Sequence, residues 1–263
     1  MRRFFTVLFV LGVAAASATV SRSDPAEPAA RLVGLSVALP DPGNEFGQSL
    51  VFGQSAGTKL TFQVKRPDAV LLDLDKEASK LVAFTDDKGT TLADDEWLWT
   101  FLHVDDKDRS KGTFEVRSKT APASGANKLK LSAVVALRVG SDLKSGEVKN
   151  VAFVKGTEVL SPAMPFKIGA CGKPEWGDAA MSVELESDRD FDKIASMEFV
   201  AADGRVIEAS DLGTSSMTFG GKGTWTKTIG LKEKLTGATI RMRWYAKLES
   251  VPVKIDGEFG LGL

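Results

Sequence analysis

Through most of the chain the apolar residues fall at every second position, in short runs separated by glycine-bearing turns. That spacing predicts an all-β protein of the sandwich or barrel kind. The clearest strand is 240–248: Ile240, Met242, Trp244, Ala246 and Leu248 share one face, and Arg241, Arg243, Tyr245 and Lys247 the other. Successive side chains of a strand point to opposite sides, so this pattern describes a strand with a core side and a wet side. Leu129, Leu131, Ala133, Val135 and Leu137 repeat the pattern, and 58–64 and 180–185 supply further strands.

The runs recur in order. Asp75-Lys76-Glu77-Ala78-Ser79 is answered by Asp192-Lys193-Ile194-Ala195-Ser196, and each precedes a short strand ending in Phe84 or Phe199. Five residues after each Phe stands a turn glycine, Gly89 or Gly204. Lys111-Gly112-Thr113-Phe114 is then answered by Lys222-Gly223-Thr224-Trp225. Fifteen residues separate Phe114 from Leu129, and fifteen separate Trp225 from Ile240. Four matches in one order predict an internal duplication that pairs Phe84 with Phe199, Phe114 with Trp225 and Leu131 with Met242. The Lys-Gly-Thr glycines are expected at positive φ in tight hairpins. The Asp-Lys-x-Ala-Ser stretches are expected to form one capped helical turn. The Gly/Pro-bearing 169–174 is expected as a linker between sandwich domains at 32–168 and 175–263.

With two such domains the chain resembles the immunoglobulin-like and fibronectin type III-like sandwiches of exported bacterial proteins. Leu235-Thr236-Gly237-Ala238-Thr239-Ile240 is similar to the approach to the penultimate fibronectin strand, although the tyrosine expected there is missing. The antibody-type pair of cysteines around a tryptophan is missing as well. The resemblance implies two tandem immunoglobulin-like β-sandwich domains and carries no activity with it.

The first 31 residues read differently. Arg2 and Arg3, the apolar Phe4–Val13 and the small residues Ala14–Ala18 make a secretory signal peptide over 1–18, cut before Thr19. The Pro- and Ala-rich 19–31 is a flexible spacer. The protein is therefore expected to be secreted or periplasmic, with no integral membrane segment once the signal is gone. Removing Arg2 and Arg3 from 34 basic residues leaves 32 against 35 acidic ones, a formal −3. That balance argues against nucleic acid as a partner. Cys171 is the only cysteine, so no intramolecular disulfide forms.

Candidate chemistry is sparse. One histidine and one cysteine starve nucleophilic triads and zinc sites alike, and no phosphate-binding glycine loop is present. No cofactor and no catalytic residue are expected, although the acidic residues leave a minor carboxylate-based hydrolase as an alternative. Asp106, Asp108 and Ser110 come nearest to a calcium loop. Lys111 stands where glycine is required and Arg117 where the bidentate acid belongs, so a polar turn explains them better. The ligand-binding candidates are Trp97, Trp99, Phe101 and His103, on one face of an expected 97–104 strand whose other face, Leu98, Thr100, Leu102 and Val104, is also largely apolar. Either the aromatic face is core or covered, or it is an open platform for a glycan. The expected function is thus a non-catalytic binding or structural module of the cell envelope, with a glycan or an envelope protein as partner.

Overall fold

The computed structural model describes residues 29–38, 57–98, 100–174, 176–219 and 222–261. The expected signal peptide lies outside these residues. Of the expected spacer, 29–31 is described and already belongs to a strand.

The protein is all-β. Its strands are β1 (Ala29–Ala38), β2 (Gly57–Lys65), β3 (Val70–Asp86), β4 (His103–Val104), β5 (Lys111–Ser118), β6 (Lys128–Ala152), β7 (Glu158–Leu160), β8 (Pro165–Gly172), β9 (Met181–Ser187), β10 (Ile194–Val200), β11 (Val206–Ile207), β12 (Ala209–Phe219), β13 (Lys222–Leu231) and β14 (Gly237–Gly260). They form three sheets, ordered β1-β2-β5-β4, β11-β10-β14-β6-β3 and β12-β13-β9-β8-β7.

The middle sheet is organised by β6 and β14, which run antiparallel from Gly237 opposite Ala152 to Gly260 opposite Lys128. Strands of 25 and 24 residues are several times the usual length of about 5–6. They have room for two cores. At one end Leu129, Leu131, Val135 and Leu137 of β6 and Val253 and Ile255 of β14 close against Leu60, Phe62, Val64, Phe114 and Val116 of the first outer sheet. Phe62 stacks on Phe114 at 5.7 Å, with Phe259 edge-on to Phe62 at 5.8 Å. At the other end Ile240, Met242 and Trp244 of β14, with Val151 and Phe153, close against Phe166, Ile168, Val183, Leu185 and Ile229 around the second outer sheet.

In β14 the core positions are even from Ala238 to Trp244 and odd from Val251 to Phe259, so the two cores use opposite phases of the alternation. Trp244 and Tyr245, both buried, mark the change. Between the cores the ribbon is bare: residues 142–145 and 246–250 are exposed. Gly140 is obligatory there, because a Cβ on it would stand 2.5 Å from Cγ of the Tyr245 ring.

Several expectations are corrected. The 75–79 stretch forms no helix. It is an extra loop of β3, across which pairing jumps from Asp75 opposite Ala136 to Lys80 opposite Val134. Asp75 does cap it, accepting the Ala78 amide at 3.1 Å, while the Ser79 hydroxyl accepts the Ala136 amide at 2.9 Å. Residues 192–193 form a turn and the rest of the matching stretch opens β10. Of the expected linker, 169–172 is the end of β8, with Cys171 opposite Val183. Gly89 and Gly156 adopt the expected positive φ, 90° and 88°, but Gly112 and Gly223 do not. Gly223 is needed for space, since a Cβ there would sit 2.4 Å from the Trp225 ring. Tyr245, expected on the wet face, is buried.

Candidate functional site

The 97–104 segment is not one strand. Residues 95–98 are a turn and only His103 and Val104 pair with β5, opposite Thr113 and Gly112. An isolated edge strand can bury only one face, and this segment is apolar on both. It folds over the first core instead, and the aliphatic positions win: Leu98, Thr100 and Leu102 are buried. Gly112 allows the close approach, since a Cβ there would lie 3.1 Å from both the His103 carbonyl oxygen and a Leu102 methyl.

Backbone bonds tether the segment. The Arg117 amide donates to the Trp97 carbonyl at 2.9 Å, the Lys119 amide to Asp94 at 2.9 Å, and Lys119 pairs with Glu96 at 2.8 Å. Of the four aromatic candidates, Trp97 is half-buried against the core, Phe101 is 72% exposed and His103 is exposed. Trp99 lies outside the described residues. Lys76, from the inserted loop of β3, holds its ammonium 5.3 Å from the centre of the Phe101 ring. That geometry favours a cation over a ring face. The pattern of the chain held no sign of Lys76 here, because it arrives from an insertion read as a helical turn.

The acidic loop that follows is closed by its own bonds. Asp105 accepts the amides of Lys107 and Asp108 at 2.8 and 3.0 Å. Asp108 pairs with Lys111 at 2.7 Å and accepts the Ser110 amide at 3.2 Å. Lys111 and then Ser110 hold the Asp108 carboxyl down at about 2. Asp106, Asp108 and Ser110 therefore sit in a tied polar turn. Among the described residues no three His, Cys, Asp or Glu side chains converge to hold a metal ion.

Asp86 is a different case. It is 2% exposed and accepts amides from Lys88 at 2.9 Å, Thr90 at 2.8 Å and Ala123 at 2.7 Å. Burial pushes its carboxyl up, yet the Ala123, Thr90 and Lys88 donors outweigh burial and hold it at about 2. Such an anchor is structural, and the distant Ala123 amide gave it no sequence signature.

No known protein family, no curated protein and no solved structure matches this chain.

Proposed function

We propose that this protein is an exported, non-catalytic binding or structural module of the cell envelope, and that the 97–103 segment carries its contact surface. The observation behind this reading is the anchored outward ring. Leu98, Thr100 and Leu102 are sunk in the core while Phe101 between them stands in solvent beside Lys76. What supports the reading is the ring's ammonium neighbour and the bonds that hold its segment in place. A glycan fits this chemistry: a ring face stacks on the apolar face of a sugar, and an ammonium and an imidazole donate to its hydroxyls.

Retention on polysaccharide affinity gels tests it. Phe101→Ala and Lys76→Ala should each weaken retention while melting near wild type, and retention unchanged by both would end the glycan reading.

The export and duplication belong to the same proposal. The 1–18 stretch supports export, and intact mass of the envelope protein should begin at Thr19. Duplication of an immunoglobulin-like unit is supported by strand order. β1-β2-β5-β4 and β8-β9-β13-β12 follow one scheme, and β3 flanks β6 as β10 flanks β14. Phe84 and Phe199, Phe114 and Trp225, and Leu131 and Met242 fall on corresponding strands of that scheme.

A further inference from the structure

The second sandwich is open where the end of β6, the end of β8, the start of β9 and the approach to β14 meet, and the opening is a cleft of about 680 Å³. Its interior is apolar: Phe153 and Met181 are buried, and Leu235 and Cys171 half-buried. The backbone donors of the wall are already used, the Phe153 amide on the Thr236 carbonyl at 2.9 Å and the Leu235 amide on the Met181 sulfur at 3.0 Å. The rim is cationic. Lys173 and Lys234 are exposed, and neither has an ion-pair partner among the described residues. Of the nearby acids, Asp178 pairs with Lys232 and Glu233 with Arg205 at 2.8 Å, while Glu184, which adds to burial in pushing the Cys171 thiol up, accepts the Ala170 amide at 3.2 Å. Gly172 lines the cleft, and a Cβ on it would meet nothing within 4 Å.

Small-molecule sites combine this range of volume with an apolar lining and a few charged groups that orient the ligand. We infer that the cleft binds a monomeric single-chain anionic amphiphile. The acyl chain lies on Phe153, Met181 and Leu235, and the carboxylate is held at the rim by Lys173 and Lys234. Removing chain methylenes from water drives entry, and two ammonium groups select the sign of the head. The site is separate from the aromatic segment and stands whether or not that segment binds a glycan.

Cys171 makes the test direct, because the chain's only thiol lines the cleft. Its alkylation by a maleimide is measured on the full chain with and without dodecanoate below the micelle-forming concentration. Dodecanoate should slow alkylation about tenfold by blocking access to the thiol. Dodecyltrimethylammonium should not. Gly172→Leu, which adds bulk at the cleft wall, should melt normally and lose the protection, and Lys173→Gln with Lys234→Gln should lose the preference for the anion. Phe101→Ala should leave all of this unchanged. The inference is overturned by absent protection, by equal protection from the cationic amphiphile, or by protection that survives Gly172→Leu. Protection by anionic phospholipid vesicles without any by dodecanoate overturns it too, in favour of a membrane surface.

Discussion

Two segments, one beside each core, do opposite things. Between β3 and β5, residues 92–104 pair for only two residues and otherwise fold inward, burying Leu98, Thr100 and Leu102. Between β10 and β13, residues 209–219 pair with β13 along their length, with one bulge at Leu212 and their described side chains almost wholly exposed. The composition explains the split. Ala209–Thr218 is mostly small and polar, with only Leu212 and Met217 as large apolar residues, so it lies on a sheet edge with its polar groups wet. Trp97–Val104 carries apolar side chains at nearly every position, and folding over is the way to bury half of them. The first core thereby gains a presented aromatic ring, and the sheet over the second keeps a plain edge.

The largest test of the comparison concerns what the sandwiches share. Phe84 and Phe199 are fully buried, one in each core. Changing either to Ala should cost about 3–5 kcal/mol, the range for deleting a buried aromatic ring. Because β6 and β14 enter both cores, calorimetry should give one transition that shifts as a whole in either variant. Two transitions, only one of them shifted, would show that the ribbon does not couple the halves.

Next come the segments themselves. Leu98→Ala and Leu102→Ala should each cost about 2–4 kcal/mol in chemical denaturation. Met217→Ala, on the 74% exposed position of β12, should stay within about 0.5 kcal/mol. Equal costs on the two segments would erase the contrast.

A smaller effect tests the first sandwich alone. Asp86→Ala strands three amides and should cost about 2 kcal/mol. The folded carboxyl sits at about 2 against an ordinary 3.8, so its stabilisation is complete above the unfolded value and is lost as pH falls from near 4 through 2. Denaturation midpoints of wild type should drop over that window more steeply than those of Asp86→Ala. Smallest of all is Phe101→Ala, which should leave the melt within about 0.5 kcal/mol of wild type because the ring is in solvent.

These contrasts also explain what was legible beforehand. Leu129 through Leu137 and Ile240 through Trp244 alternate cleanly, and each expected core position among them is buried. The phase change near Tyr245 was hidden, since a ring that packs on the opposing Gly140 looks like a wet-side residue in its own strand. The extreme length of β6 and β14 was hidden too, because charged 141–150 and 246–250 break the alternation while the backbone pairing continues through them. At the aromatic segment, two apolar faces were readable, and which one faces inward depended on a close approach permitted by Gly112. The Lys76 partner came from an insertion in a strand, which no periodicity encodes.

The shared ribbon has a consequence for the order in which the molecule is made. Val251, Val253, Ile255 and Phe259 belong to the first core, more than a hundred residues after the β2 and β5 strands they cover. As the chain emerges from N- to C-terminus, the N-terminal half therefore waits with the β14 part of one wall missing until the second half has appeared. Contacts so distant in sequence form slowly. Both halves therefore close together, once β14 has been made.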